Sequence, residues 1–259
     1  MSIEALPFVN WIVWAALGAG TITIVGLAEL TGGTTRGYRL LMAWVVAACA
    51  AILVLSDVNL PPDAVGSATE GLRRPLVLAF AAGSVAYLVA SHARWPRAWL
   101  AIGTGGVGLV ALVTLALAGG TRAPGFFAVQ LLIVAAALGA VNAAMLLGHW
   151  YLVTPRLSPA PLRRMMWILA AALAIQGAAF AIALVAVGTE PISGQIAWLS
   201  WLRLAAGILL PIVATVLAYL ATRAASLQAS TGLLYIGLAL VLAGSIAGAS
   251  ISYLTGVPV

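Results

Sequence analysis

The chain reads as an all-α polytopic membrane protein of eight transmembrane helices, and three observations carry that reading. Of its 259 residues, 64% are hydrophobic and 7% charged, against about 25% charged residues in a soluble domain. Apolar runs come back eight times with short gaps between them. Each is close to the ~20 residues that a helix needs to cross roughly 30 Å of hydrocarbon. The runs lack period-two alternation, and alanine and leucine outnumber β-branched residues, which argues against a barrel.

Taken in order, the spans are Phe8–Leu30, Tyr38–Leu55, Pro75–Ser91, Ala98–Gly119, Gly125–Leu152, Arg164–Val187, Gln195–Leu220 and Thr231–Leu254. Helix-stopping residues separate them. Thr31-Gly32-Gly33 follows the first, Pro61-Pro62 the second, and Pro155, Pro159 and Pro161 the fifth. The third span is the shortest. The longest connection, Ser56–Arg74, holds 19 residues and has room for a surface helix or a docking element, but no loop is long enough for a second domain.

All twelve cations are arginine. Eight lie in loops after odd-numbered spans: Arg36, Arg39, Arg94, Arg97, Arg156, Arg163, Arg164 and Arg223. Three, Arg73, Arg74 and Arg122, lie after even-numbered spans, and Arg203 lies inside the seventh. Basic residues stay on the cytoplasmic side. The expected orientation therefore puts both termini outside a bacterial-type plasma membrane. Glu4, Asp57, Asp63, Glu70 and Glu190 then fall outside and Glu29 inside. Trp11, Trp14, Trp198 and Trp201 mark the outer interface; Trp95, Trp99, Trp150 and Trp167 mark the inner one. The net charge of +6 follows from this bias and from contact with lipid headgroups, with no need for nucleic acid. The Met1-Ser-Ile-Glu-Ala start lacks the basic and apolar regions of a removable signal peptide. The single Cys49 excludes a disulfide within the chain and any cysteine-ligated cluster.

The chain forms one membrane domain over residues 1–259, with internal repeats suggested over 8–120 and 126–254. Leu17-Gly18-Ala19 matches Leu138-Gly139-Ala140, Trp44 matches Trp167, Ala81-Ala82-Gly83 matches Ala205-Ala206-Gly207, and Leu117-Ala118-Gly119 matches Leu242-Ala243-Gly244. The order is kept, but such triplets also match by chance in a chain rich in alanine and glycine. Duplication and coincidence both stay open. Four spans per half would make a parallel repeat, as found in transporters and in cofactor-binding bundles.

Polar side chains inside hydrocarbon are costly and face the bundle interior with a partner. Ser200, Arg203, Gly207 and Pro211 share one face of the seventh span. Pro211 has no N–H for the Gly207 carbonyl, so a kink is expected there with that carbonyl open to another donor. The face suits an anionic or carbonyl-bearing ligand; a snorkelling arginine beside a packing kink is the alternative. In the fifth span Asn142, Met145 and His149 share a face, and His149-Trp150-Tyr151 runs into the inner interface. Those three offer hydrogen bonds and stacking to a quinone headgroup, or else form an ordinary aromatic belt. His92 and His149 are the only histidines. Both are interfacial, which disfavours a bis-histidine haem b. A four-ligand metal site lacks carboxylates and thiolates, and no covalently bound cofactor is expected. Gln130 and Gln176 are expected to make interhelical hydrogen bonds, and Glu29 a surface ion pair with Arg36 and Arg39 in preference to a proton relay. Gly103-Thr-Gly-Gly-Val-Gly108 and Gly244-x-x-x-Gly248 read as close helix packing.

Eight spans, outward termini, small loops and the first-span segment Ala16-Leu17-Gly18-Ala19-Gly20-Thr21 resemble the membrane-anchor subunits of polysulfide reductase and dimethyl sulfoxide reductase. The resemblance implies a quinol-binding subunit without haem or cluster of its own, docked to partners that carry iron–sulfur clusters and a molybdenum cofactor. No site residue carries over by motif. The function expected is thus a membrane subunit of a respiratory or other redox complex, interacting with quinone and anchoring electron-transfer partners. The alternative is a small-molecule or ion transporter with its site at the kinked seventh span. The arginine distribution makes a direct prediction. Cysteines placed in the Ser56–Arg74 loop will react with an impermeant thiol reagent in intact cells, and those in Thr154–Leu162 only after permeabilisation. Labelling of the second loop in intact cells would reverse the orientation.

Overall fold

In a computed structural model, the protein is all-helical, with eight helices long and apolar enough to cross a membrane among the described residues. The structure describes residues 5–32, 34–60, 67–93, 95, 97–118, 121–154, 157–187 and 190–258. The first six spans are α1 (Ala5–Leu30), α2 (Arg36–Val58), α3 (Ser67–Ala93), α4 (Ala98–Leu117), α5 (Pro124–Val153) and α6 (Ala160–Val187). A short α7 (Glu190–Ser193) precedes the seventh span. That span is built of α8 (Ala197–Leu204), a π turn (Ala205–Leu209) and α9 (Leu210–Arg223). The last span is α10 (Leu227–Thr255). The face of the bundle where α1 begins and α10 ends is called the near face below, and the opposite one the far face.

The expected span limits need one correction of substance. The long connection read as Ser56–Arg74 is mostly helix. α2 runs on through Asp57 to Val58 and α3 begins at Ser67, so Pro75 lies inside α3 rather than at its start. Polarity suggested a loop here. The helical turns persist because their charged side chains find each other: Asp57 and Arg73 are buried and paired.

The spans fall into two sets with matching neighbours. α1 packs on α2 and α4, with α3 between those two; α5 packs on α6 and α10, with the seventh span between them. The sets join chiefly through α1 and α5, flanked by the α4–α5 and α1–α10 contacts. At the centre of that seam the backbones meet. A Cβ on Gly20 would fall on the Ala135 carbonyl, and one on Gly139 would fall on the Gly20 backbone. Lipid tails are as apolar as leucine, so little hydrophobic force holds membrane helices together. Close dispersion contact and interhelical hydrogen bonds do so instead. Both are present here: one turn from the glycines, Asn142 Nδ2 donates to Thr21 Oγ1 at 3.0 Å. Tyr38 Oη donates to the Ala143 carbonyl at 3.0 Å, tying α2 to the same stretch of α5.

The glycine-rich part of α4 packs as expected at two of its four glycines. Gly105 and Gly108 lie against Thr23, Ala19 and Phe80, whereas Gly103 and Gly106 face open space. This contrast gives a stability prediction. Gly20→Leu or Gly139→Leu should prevent recovery of a monodisperse folded protein, since even modest overpacking costs about 1–3 kcal/mol and here the clash is with backbone. Gly106→Leu, in open space, should leave the thermal midpoint in detergent within a few degrees of the wild type.

Candidate ligand site

The seventh span carries the most unusual local geometry. Without an N–H, Pro211 cannot close an α-helical bond to the Gly207 carbonyl. The helix answers by widening: Ala205–Leu209 form a π turn, with the Leu210 N–H on the Ala205 carbonyl. The expected kink is thus a π turn, a form often found at functional sites. Gly207 sits within it, and its backbone touches that of Gly244 on α10. The Gly244-x-x-x-Gly248 pair therefore divides its work. Gly244 admits the seventh span, and Gly248 admits the side chain of Arg203, whose Nε would lie 3.1 Å from a Cβ at that position.

Arg203 is 3% exposed and faces the bundle interior. Its Nε and Nη1 are buried without a hydrogen-bond partner, and among the described residues no carboxylate lies within ion-pair distance of it. The Gly207 carbonyl, expected as its acceptor, does not take it; Gly207 meets the aliphatic Cδ of Arg203 instead. Ser200, one turn earlier, is fully buried, and its Oγ has no partner either. Arg203 lines a small space of about 20 Å³, on the order of one water. It is lined by Phe127, Gln130, Leu131 and Val134 on one face of α5, by Ser245, Gly248 and Ser252 of α10, and by Ile12 of α1. The serine hydroxyls donate to the Val241 and Gly248 carbonyls at 2.8 and 3.0 Å. A larger open groove of about 520 Å³ between α1 and α2 holds no ionisable side chain, so the small polar space is the chemically distinctive one.

A second buried polar group lies on α6. Gln176 was expected to bridge helices, yet both its amide atoms are buried and unpartnered. Its neighbour Gly177 faces Ile208 of the π turn, so this amide stands at the level where the seventh span widens.

The fifth-span candidates do not converge on one point. Asn142 is committed to Thr21. His149 is exposed, with Nδ1 3.5 Å from Tyr235 Oη and the two rings edge to face. Trp150 instead lies across Gly37 of α2, with its indole N–H buried and unpartnered. Tyr151 turns to the start of α6 and donates to the Ser158 carbonyl at 2.8 Å. His92 is exposed against Trp44, so each histidine pairs with a different aromatic neighbour. Among the described residues no cluster of three or more metal-ligating side chains occurs.

Two charged clusters bracket the first four spans. At the near face, Arg73 Nε lies 2.9 Å from Asp57 Oδ1, an ion pair without the alignment of a hydrogen bond. Trp11 Nε1 donates to the same oxygen at 2.8 Å. Trp11 is therefore fully buried rather than part of an interfacial belt. At the far face, the side chain of Glu29 is turned inward, 8% exposed. It accepts from Tyr87 Oη at 2.6 Å and lies 3.8 and 3.7 Å from the Nε atoms of Arg39 and Arg97. Arg36, the other partner expected for Glu29, instead reaches the His92 carbonyl at 3.4 Å.

Compared with protein-family models, curated proteins and solved structures, the chain matches none. The site therefore rests on its own chemistry, and the buried Arg73 and Arg203 separate by experiment. Asp57→Asn strips Arg73 of its counter-charge, and breaking a buried pair on one side costs about 3–5 kcal/mol. Its thermal midpoint should drop by many degrees. Arg203→Met removes a cation that has no counter-charge in the chain, and should hold or raise the midpoint. A drop in Arg203→Met as large as that in Asp57→Asn would mean that the chain itself satisfies Arg203.

Proposed function

We propose that this protein is a membrane transporter for small anionic or carbonyl-bearing molecules, with Arg203 as its binding residue. The observation that carries the reading is a guanidinium, buried within the span, whose donors the chain leaves open. Burying a lone charge costs several kcal/mol even after relaxation, so a fold that keeps one has a use for it. Several features support the same reading. Ser200 and Gln176 add further open polar atoms on the seventh span and α6. The π turn behind Arg203 puts an irregular backbone next to the pocket, and irregular backbone at membrane depth is tolerated where it is buried in protein or lines a cavity. A scarcity of carboxylates at mid-membrane counts against a cation-coupled carrier, but an anion site calls for arginine instead. With the orientation expected from the arginines, the pocket lies under the outer face.

A redox role remains as a second reading, favoured by the exposed His149–Tyr235 pair, which presents an imidazole and a phenol to lipid at the far face. There the chain would be a quinone-interacting subunit that anchors electron-transfer partners, as the resemblance to polysulfide and dimethyl sulfoxide reductase anchors implies.

Reconstituted protein on a solid-supported membrane tests the transport reading. Concentration jumps of small organic anions should drive charge displacement, which Arg203→Leu abolishes and Arg203→Lys reduces at least tenfold, because lysine keeps the charge but loses the planar donor array. Silence across the anion panel, together with stoichiometric quinone that co-purifies with the wild type and is lost in His149→Ala, would replace transport by the redox reading.

A further inference from the structure

We infer that the Arg203 pocket takes a small monocarboxylate, held by Arg203 much as the chain's own Asp57 is held by Arg73. This inference rests on the anion-site reading and narrows it.

Each set of spans buries an arginine in the first two turns of its third span. Arg73 is the seventh residue of α3, and Arg203 the seventh of the span that begins at Ala197. α3 stands between α2 and α4 as the seventh span stands between α6 and α10. Both guanidinium groups are buried, at 4% and 3% exposure. In the first set the cation meets a carboxylate supplied by the neighbouring span: Asp57 of α2, steadied by the Trp11 N–H. In the second set α6 stands where α2 does, and Ala160–Val187 contains no aspartate or glutamate. The fold thus neutralises one arginine from within and leaves its counterpart to a carboxylate from outside.

The lining selects within the anions. One cation in the pocket favours a single negative charge over a phosphate or sulfate dianion. The Gln130 amide has N–H groups to offer, and the Ser245 and Ser252 hydroxyls can rotate from their own helix towards a ligand oxygen. The apolar side chains that line the same space, Ile12, Phe127, Leu131 and Val134, suit the C–H or methyl group of a formate or acetate, whereas a halide gains nothing from them. About 20 Å³ of free space is room for about one water, which puts formate first among the carboxylates and requires the lining side chains to give way as it enters.

The lone thiol supplies the readout. Cys49 is free and buried in α2, so a thiol-reactive fluorogenic dye reports its exposure as the protein in detergent unfolds. Sodium formate or acetate should raise the wild-type midpoint saturably by several degrees, while formamide, neutral and of similar shape, leaves it unchanged. Arg203→Gln should remove the response. Gly248→Ala is the second variant: it keeps the charge, but its methyl would sit 3.1 Å from the Arg203 Nε and should weaken the formate response at least tenfold. Chloride raising the midpoint as much as formate would overturn the carboxylate assignment and leave an anion site standing. No response to any of these anions in the wild type would overturn both readings. An undiminished formate response in either variant would remove Arg203 from the site.

Discussion

Everything in this bundle hangs on the contact between α1 and α5, where two helices touch at Gly20 and Gly139 with no side chain between them. Each of those helices is the hub of its own set of four spans, so the distance between them sets where every other span can stand. A membrane offers little hydrophobic gain for pressing helices together, and what remains is the sum of short-range contacts. Dispersion falls steeply with separation, so one added methyl at this seam would loosen contacts far beyond its own volume. The Asn142–Thr21 hydrogen bond depends on the same closeness. A polar pair in hydrocarbon is favourable only where its two partners are held within reach.

The two sets use that common frame differently. The first is closed by charge at both faces, through Asp57 and Arg73 on one side and Glu29, Arg39 and Arg97 on the other. The second has no ion pair among the described residues. It holds Gln176, Ser200 and Arg203 with open hydrogen-bonding atoms, and its π turn interrupts the regular ladder. Its apolar packing is divided as well: Phe180, Leu199, Ile208 and Ile251 belong to a small cluster separate from the main core. Arg203 lies where the two clusters meet, since Ile12, Phe127, Leu131 and Val134 beside it belong to the main core. A rigid half beside a half with weaker internal constraints is a sound basis for relative movement, because the cost of rearrangement then falls on one side.

How much of this was legible in the sequence depends on the range of the interaction concerned. The eight spans were legible because hydropathy is a local sum over about 20 residues. The inward aim of Arg203 was legible because Ser200, Gly207 and Pro211 share its face, and Pro211 also marked the irregular turn. The acceptor chosen for Arg203 was not, since the π register and the approach of α10 turned the side chain towards Gly248. Asp57 and Arg73 were read as loop charges, because pairing across two helices leaves no local periodicity. Their opposite signs at the ends of consecutive spans were the only trace. Trp11 fitted an interfacial belt until the buried carboxylate above it supplied an acceptor. Gly248 was read only as a packing glycine, and Ser245 and Ser252 passed unmarked, although the spacing of three and four sets all three along one side of α10. His149, Trp150 and Tyr151 are adjacent in sequence, yet a helix sends adjacent side chains about 100° apart, so they reach three different neighbours.

The π turn has a consequence for how this span tolerates changes in length. A π turn is an α-helix that has absorbed one residue too many. Deleting a single residue from Ala205–Leu209 would return that turn to α register with Ser200 and Arg203 still facing the interior, because the wide turn has taken up the extra residue within itself, but it would press the Pro211 ring against the carbonyl four residues before it. A deletion in α9, which holds no spare residue, would instead turn Ser200 and Arg203 by about 100° relative to the helix that follows it. The wide turn is thus where the seventh span has slack in length, and the aim of the arginine is fixed by the number of residues in the regular helix behind that turn.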